Sequence, residues 1–476
     1  MFETHLTHPR GLGRLPDAPH SGAAGGAPCG DLVRIAVRVE GDRVAEAGFD
    51  ADGCGAARAA GSAVVELVEG APVLDAARLT ADDVADALGG LIPPKRHAAT
   101  LAADALHRAL GAAARDGAPA LAPSPRRTLV AMSGGVDSAA AAQLALDAGD
   151  EVVGVTLELW SDPATDGERS CCSPQAVLGA RELAHGMGIP HFTLDLRERF
   201  RSEVVDRFLS GYAAGGTPNP CVRCNGSVRF DAMLDLAAAL GAARLATGHY
   251  ARIARDEQGP LVRAAADPAK DQSYMLARLD PAALDRLSFP LGGLTKPAVR
   301  ALARDAGLPV ADRRESQDLC FLAGLGGGAF LRRHGGRRMA GTGEIVTRDG
   351  EVVGSHGGHQ NYTVGQRRGL ELAAPQPLYV LRKDAARNRL VVGPREALAT
   401  TRVRLGEWSL HREATTVERV KLRYRSAAVA CRAHAEAACL VLELETPVDG
   451  AAPGQLACLL QGDRIVGHGT IAGDPA

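Results

Sequence analysis

Short apolar strands alternate with helical segments between residues 128 and 250, and this alternation limits the fold more than any other feature of the chain. The predicted segments are a strand at 128–132, a helix at 138–148, a strand at 151–159, a helix at 174–188 and a strand at 191–196. Apolar strands separated by helices are typical of a parallel sheet covered by helices on both faces. The sequence therefore predicts an α/β domain in the middle of the chain.

The hydrophobic pattern changes on both sides of this α/β domain, which indicates a multidomain protein. The N-terminal part has strands followed by helices, typical of an α+β domain. After about residue 340, short strands separated by Gly, Asp and Pro predict small β-barrel units. The predicted layout is a scaffold-like α+β domain at 1–113, a Pro- and Ala-rich linker at 114–127, the α/β domain at 128–325, a small central β-rich domain at 326–398 and a C-terminal β-barrel at 399–476.

Composition narrows the class of protein. The chain is 46% hydrophobic and 23% charged, as globular proteins are. It contains no run of about 18 apolar residues and no secretory signal pattern at its start, so we expect a cytoplasmic protein with no membrane segment. Its 10 cysteines are then more typical of reactive or metal-binding sites than of a disulfide framework. The net charge of −2 does not by itself predict a nucleic-acid partner.

The segment AMSGGVDS carries the strongest local signal, at the junction of the first strand and the first helix of the α/β domain. Glycines let backbone N–H groups converge, and the helix N-terminus adds positive potential, so the turn can bind a phosphate or pyrophosphate. It lacks the Walker pattern. We predict a nucleotide site in this segment, where Asp137 could hold Mg²⁺ beside the phosphates; a glycine turn with an ordinary helix cap is the simpler alternative. The segment consists of Ala131, Met132, Ser133, Gly134, Gly135, Val136, Asp137 and Ser138.

Cysteines form the second signal. Cys221 and Cys224 lie two residues apart in TPNPCVRCN, and Cys320 follows in ESQDLCF. Two thiols at this spacing can share a metal or cluster, form a disulfide or lower each other's pKa. Cys431, Cys439 and Cys458 are predicted to be small apolar residues of the barrel.

Several motifs occur in one order between residues 127 and 474: MSGGVDS, TPNPCVRCN, ATGHYAR, KDQSYML, FPLGGLTKPAVR, ESQDLCF, YTVGQRRGL, LRYR and PGQ. With these motifs the chain resembles the tRNA-specific 2-thiouridylase (MnmA) family of PP-loop ATP pyrophosphatases. The resemblance implies ATP-dependent 2-thiolation of the wobble uridine, U34, in which O2 is adenylated and then replaced by sulfur. It implies as partners the tRNAs for Lys, Glu and Gln, and a cysteine desulfurase or sulfur-relay donor.

The resemblance also implies a role for each matching residue. Cys224 corresponds to the nucleophile and Cys320 to the persulfide-carrying cysteine. The ATP loop would run from Ala131 to Ser138, and Leu157 and Gly248 would contact the adenosine. The implied tRNA contacts are Asn219, Pro220 and Cys221 at the target base, together with His249, Lys270, Asp271, Gln272, Arg423, Tyr424 and Gln455.

One departure from the family makes a second route of sulfur transfer possible. Many members have Asp at the position of Cys221. Three thiolates, from Cys221, Cys224 and Cys320, could bind a 4Fe–4S cluster whose fourth iron accepts hydrosulfide. The persulfide and cluster routes are both consistent with these residues. The pair Cys171 and Cys172 is either a sulfur shuttle or an ordinary loop pair.

The N-terminal segments GAPCGDLVRIAVRV, DGCGAARAAGS and IPPKRHAATLAADAL resemble the IscU/NifU-type iron–sulfur scaffold. Cys29, Asp31 and Cys54 match its ligand positions, but His97 is followed by Ala98 where that family has its third cysteine. Loss of a thiolate weakens a site for iron. Asp31 or His97 could complete a labile cluster or zinc site; a docking domain without metal is the alternative. Fusion would raise the effective concentration of a sulfur donor.

Two rival functions are consistent with parts of the sequence. A PP-loop ligase or amidase acting on a small metabolite would need the ATP loop but not Cys224 and Cys320. A non-enzymatic iron–sulfur assembly protein would need the N-terminal residues but not ATP cleavage.

Overall fold

The computed structural model describes residues 1–25, 30–162, 174–313, 319–322, 325–436 and 438–473. Within these ranges the chain forms four sheets, and the predicted fold class, an α+β domain followed by a parallel α/β domain and two β-rich domains, is confirmed. Cys29, Cys171 and Cys172 lie outside the described residues. No helix in the described ranges has both the length and the apolar character needed to span a bilayer.

The N-terminal domain is an antiparallel sheet, in the order β1-β2-β3, packed against helices. The second and third strands form a hairpin that turns at Gly41, whose φ of +62° suits glycine in a tight turn. Alternate residues of the second strand, Val33, Ile35 and Val37, are fully buried. The elements are α1 (Phe2–Thr7), β1 (His20–Gly25), β2 (Leu32–Glu40), β3 (Arg43–Asp52), α2 (Gly55–Val68), α3 (Val73–Ala76), α4 (Ala81–Ala87) and α5 (Arg96–Arg115).

The α/β domain contains a parallel sheet in the order β10-β7-β4-β5-β6. Strand β4 is at the centre of the sheet, and the strand order reverses on either side of it. The loop after β4 therefore emerges at the carboxyl edge of the sheet, where such sheets usually bind their ligands. The elements are β4 (Ser124–Ala131), α6 (Val136–Asp147), β5 (Glu151–Glu158), α7 (Pro174–Gly186), β6 (His191–Asp195), α8 (Arg197–Phe200), α9 (Asp206–Ala213), α10 (Pro220–Cys224), α11 (Phe230–Ala239), β7 (Ala242–Thr247), β8 (Arg252–Asp256), β9 (Gly259–Arg263), α12 (Pro281–Leu284), β10 (Leu287–Ser288) and α13 (Lys296–Asp305).

The two C-terminal domains are β-rich. The central domain has α14 (Gly327–Gly335) and a sheet in the order β12-β11-β14-β13, made of β11 (Gly343–Val346), β12 (Val352–His356), β13 (Tyr379–Asp384) and β14 (Arg389–Gly393). The barrel closes through pairing of its first and last strands and is made of β15 (Ala399–Leu410), β16 (Arg419–Lys421), β17 (Val429–Glu436), β18 (Cys439–Asp449), β19 (Leu456–Gln461) and β20 (Arg464–Ile471). The hairpin β8–β9 of the α/β domain adds to this sheet at Arg464, a long-range pairing that the sequence pattern did not indicate.

The N-terminal domain is packed directly onto the α/β domain. Helix α5 lies along the edge strand β6, and a Cβ atom on Gly111 would lie 1.9 Å from the carbonyl oxygen of Thr193. The His191 N–H donates to the Ala77 carbonyl at 3.0 Å. The domain therefore occupies a fixed position and does not swing on a linker.

A buried ion pair crosses this interface. Arg181 of α7 donates to Asp104 of α5 at 2.9 Å, and the two side chains are 6% and 12% exposed. Arg108 also pairs with Asp104 at 2.9 Å. Burial of these charges is offset by their mutual attraction only while the domains remain docked.

Candidate active site

The predicted ATP segment, Ala131–Ser138, forms a tight loop between β4 and α6, called the nucleotide loop below. Gly134 has a φ of +70°, which favours glycine. The Ser138 hydroxyl accepts a hydrogen bond from the Ser133 N–H at 3.1 Å and donates to the Gly135 carbonyl at 3.0 Å, which closes the loop. Arg313 donates to the Gly134 carbonyl at 2.9 Å. The α6 N-terminus and the Arg313 cation therefore give this loop positive potential.

Asp137 lies in the first turn of α6 and is engaged by two residues that the sequence analysis did not single out. The Lys296 ammonium lies 2.6 Å from Asp137 Oδ1, and the Tyr250 hydroxyl donates to the same oxygen at 2.8 Å. Lys296 is buried, and this carboxylate stabilises its charge. The other oxygen, Oδ2, accepts no hydrogen bond from a described residue, and an oxygen ligand of this kind suits Mg²⁺.

The remaining predicted ATP residues lie at the same edge. Gly248 follows β7, and a Cβ atom there would lie 2.8 Å from the backbone of Asp137 and Ser138, so only glycine allows this approach. Leu157 is half-buried near the end of β5. The structure thus brings the ten predicted residues together at the carboxyl edge of the sheet.

Cys221 and Cys224 lie on the short helix α10, called the cysteine helix below. The Asn219 side chain caps it by accepting from the N–H groups of Cys221 and Val222 at 3.1 and 3.4 Å. Cys224 is buried and Cys221 is half-buried. Pro220 at the first helical position has no N–H that would need a partner.

The loop that precedes the cysteine helix is held from two other domains. The Lys383 ammonium of β13 donates to the Gly216 carbonyl at 2.9 Å. The Thr217 N–H donates to the Pro453 carbonyl at 2.7 Å, and the Gln455 amide donates to the Thr217 carbonyl. Gln455, predicted as a tRNA contact, therefore has a positioning contact in this structure.

Cys320 is half-buried and belongs to a separate part of the chain. Its neighbour Phe321 packs edge-on against Phe200 and Phe208, with ring centroids 5.9 and 5.2 Å away. The cysteine helix contacts the helical turns between α8 and α9. Both cysteine-bearing segments thus lie against one helical region, 197–213.

Three of the other predicted tRNA residues, Tyr424, Lys270 and Asp271, lie close to one another. Burial raises the pKa of Tyr424, and Arg425 and Cys221 are among the groups near its ring. The side chains of Asp271 and Gln272 hold the local backbone, since Asp271 accepts from Ser273 and Gln272 accepts from the Tyr250 N–H. Arg423 is exposed and donates to the Gly450 carbonyl at 2.6 Å.

His249 packs near Phe230 and Phe289, and its Nδ1 lies 2.7 Å from the Thr247 hydroxyl. Burial, together with nearby Arg229, lowers the pKa of His249 to about 4. At neutral pH its ring is therefore uncharged, and it can meet RNA only as a neutral hydrogen-bonding group.

This shift predicts a pH dependence of stability. Between pH 6.5 and 4 the unfolded chain binds a proton at residue 249 that the folded chain does not, so stability falls as the pH drops through this range. His249→Gln should remove about 2 kcal/mol of the loss that has accumulated by about pH 5. The free energy of unfolding in urea at about pH 7.5 and about pH 5 measures it, with the exposed His434→Gln as control. If the free energy of unfolding falls equally at low pH in the His249 variant and the wild type, the lowered pKa of His249 is not the cause.

A third cluster lies in the N-terminal domain: Asp31, Cys54 and His97, called the metal triad below. Their ligand atoms lie within 4.8 Å of one another, and no other such trio is found among the described residues. Asp31 Oδ2 lies 2.8 Å from His97 Nε2 and 3.1 Å from Cys54 Sγ. These hydrogen bonds, from His97 first and then Cys54, lower the pKa of Asp31 to about 2. One oxygen, one nitrogen and one sulfur donor suit Zn²⁺ better than an iron–sulfur cluster, which prefers thiolates.

Family models match four consecutive segments of the chain. A NifU-like N terminal domain matches residues 2–115, and a tRNA methyl transferase HUP domain matches 126–324. A tRNA methyl transferase PRC-barrel domain matches 328–394, and an aminomethyltransferase beta-barrel domain matches 399–471.

Curated relatives match over long stretches. The bifunctional protein NifU/MnmA of Rubrobacter xylanophilus is 45% identical over 98% of this chain and 97% of its own length. The tRNA-specific 2-thiouridylase MnmA of Acidithiobacillus ferrooxidans is 44% identical, covering 73% of this chain and 99% of its own. That of Methylorubrum extorquens is 46% identical over 73% of this chain and 94% of its own.

The parallel sheet, the nucleotide loop at its carboxyl edge and the motif order define an ATP-using protein of the PP-loop class with a NifU-like domain in front. The chain belongs to the bifunctional NifU/MnmA family. The resemblance based on its motifs is thereby confirmed, while the roles of individual site residues stay predictions.

Proposed function

We propose that this tRNA sulfurtransferase converts the wobble uridine of tRNA to 2-thiouridine by adenylation of O2 followed by sulfur transfer. The observation that carries the proposal is the packing of both cysteine-bearing segments against one helical region, in the domain that also forms the nucleotide loop. An activating site and a sulfur-donating site are the two parts that this reaction requires.

The first step activates a poor leaving group. O2 of uracil attacks the α-phosphorus of ATP, the bond to the bridging oxygen breaks, and pyrophosphate leaves. The nucleotide loop and the N-terminus of α6 would hold the departing phosphates. Lys296 and Arg313 would add positive charge beside them. Mg²⁺, held by Asp137, would neutralise phosphate charge in this site.

The second step inserts sulfur. The terminal sulfur of a persulfide on Cys320 attacks C2 of the adenylated base, and AMP leaves. Cys224 attacks the inner sulfur of the persulfide, so the old S–S bond breaks and its electron pair stays with the transferred sulfur. A disulfide between Cys224 and Cys320 results, and an external dithiol reduces it. A cysteine desulfurase or relay protein would reload Cys320.

The substrates would be the tRNAs for Lys, Glu and Gln, with the target base against Asn219, Pro220 and Cys221. A 4Fe–4S cluster on Cys221, Cys224 and Cys320 is the alternative sulfur carrier, and iron and sulfide bound to the α/β domain after anaerobic purification would favour it. The metal triad would hold Zn²⁺.

The test uses the full chain with ATP, a sulfur donor and unmodified transcripts of these tRNAs. We expect one AMP and one pyrophosphate for each 2-thiouridine found by mass spectrometry of the digested RNA. A matched transcript with cytidine at the wobble position is the control and should give neither product. AMP release that depends on a small metabolite and not on tRNA would instead favour a ligase, and absence of ATP cleavage would favour an assembly protein.

A further inference from the structure

A cationic cavity lies on the side of the cysteine helix that faces the barrel. It has a volume of about 340 Å³. Arg207, Arg223 and Arg278 line it, together with Glu407 and His468. These residues come from α9, the cysteine helix, the segment before α12, and barrel strands β15 and β20. We call it the arginine cavity.

Its positive charge exceeds its negative charge. Glu407 lies 3.4 Å from Arg223 and 3.5 Å from Arg278, and its side chain is 62% exposed. Arg207 makes no ion pair with any described residue. The guanidinium side chains of Arg223 and Arg278 are only 25% and 19% exposed. Three cations thus surround one loosely placed carboxylate, which leaves capacity for a further anion.

The position of Glu407 is itself unusual. Its φ is +42°, in the left-handed region that non-glycine residues seldom adopt. The register of β15 against β20 shifts between Gly406 and Ser409, so Glu407 lies in a bulge. Bulges commonly re-aim a side chain at functional positions. This bulge turns the Glu407 carboxylate toward the two arginines.

His468 lies at the buried end of the cavity and adds no positive charge to it. Its side chain is 7% exposed. Burial, with Arg278 nearby, lowers the pKa of His468 to about 3, so its ring is neutral. The cationic character of the cavity therefore comes from its arginines alone.

A second cavity, of about 320 Å³, shares Arg207, Arg223, Arg278 and Glu407 with the first. It extends to Pro218, Asn219 and Pro220 in front of the cysteine helix. One continuous groove therefore joins the cations to the loop that is predicted to contact the target base. Each nucleotide of single-stranded RNA carries a base and a charged phosphate side by side, so cations next to a loop predicted to contact a base favour RNA over an acidic protein.

We propose that the arginine cavity binds a backbone phosphate of the tRNA beside the target base, with Arg207, Arg223 and Arg278 as its ligands. The proposal rests on the proposed function for the identity of the RNA. Guanidinium groups match phosphate oxygens in paired hydrogen bonds. Glu407 occupies part of the site without RNA and competes with the phosphate for the same cations.

Binding of unmodified tRNA to the full chain at several salt concentrations tests the proposal. Arg207→Gln and Arg278→Gln should each weaken binding by roughly fivefold at low salt. Each should also reduce the slope of the logarithm of the binding constant against the logarithm of the salt concentration by about one. Glu407→Gln should act in the opposite direction and tighten binding, which a mere loss of folding could not do. Arg432→Gln, an exposed arginine on the same barrel, is the matched control and should bind as the wild type does.

Unchanged affinity and salt slope in both arginine variants would overturn the proposal, as would weaker binding by Glu407→Gln. If these variants bind tRNA normally but lose thiolation only when a protein supplies the sulfur, the cavity serves the donor, and the RNA assignment is wrong. Failure of the proposed function would look different: the wild type would then bind tRNA without forming 2-thiouridine, or would not bind it.

Discussion

Replacement of Cys224 or Cys320 by serine is expected to abolish 2-thiouridine formation, by roughly 10³-fold or more, while tRNA-dependent release of AMP and pyrophosphate continues. A serine oxygen can neither carry a persulfide nor break one, but adenylation of O2 needs only the nucleotide loop. The two rates are measured in the same reaction, from the radiolabelled nucleotide products and from mass spectrometry of the digested tRNA. Adenylated RNA formed without sulfur should be hydrolysed back to uridine.

Cys439→Ser is the control, because Cys439 is half-buried as Cys320 is but lies on barrel strand β18. It should keep both rates. Full thiolation by the Cys224 or the Cys320 variant would show that these cysteines do not transfer the sulfur. Equal loss of AMP release and thiolation would instead show that the replaced cysteine supports the fold of the ATP site.

The second large effect is expected at the docked interface. Asp104→Ala leaves the buried Arg181 guanidinium without this carboxylate, which should lower the free energy of unfolding by about 3–5 kcal/mol. Chemical unfolding followed by fluorescence or circular dichroism measures this loss. The double variant Asp104→Leu with Arg181→Met removes both charges and should recover most of it, since replacing both members of a buried pair by apolar groups is often neutral.

Asp82→Ala provides the comparison. Asp82 pairs with Arg96, which lies on α5 as Asp104 does, but the side chains of Asp82 and Arg96 are both well exposed. It should cost less than about 1 kcal/mol. A similar small loss for Asp104→Ala would mean that the interface does not bury this pair in solution.

Local sequence signals predicted the parts of the site that local backbone geometry determines. The glycine turn at Gly134 and Gly135 and the alternation of strands and helices each need only near neighbours in the chain. Their positions follow from short stretches of sequence for that reason.

Partners that come from distant segments could not be predicted in this way. Lys296 reaches Asp137 across 159 residues, and Lys383 reaches Gly216 across 167. Lys383 cannot be distinguished from a surface lysine in the sequence, and the motif FPLGGLTKPAVR that contains Lys296 gives no indication that Asp137 is its partner. The close packing of α5 on β6 depends on Gly111, which in sequence is only an unfavourable helix residue.

The docking of α5 on β6 sets how far the metal triad lies from the α/β sheet. His97 is 14 residues before Gly111, or about 21 Å along the helix axis from the point where α5 meets Thr193. Rotation of the N-terminal domain to carry cargo toward the α/β domain would first have to break the buried pair of Asp104 with Arg181.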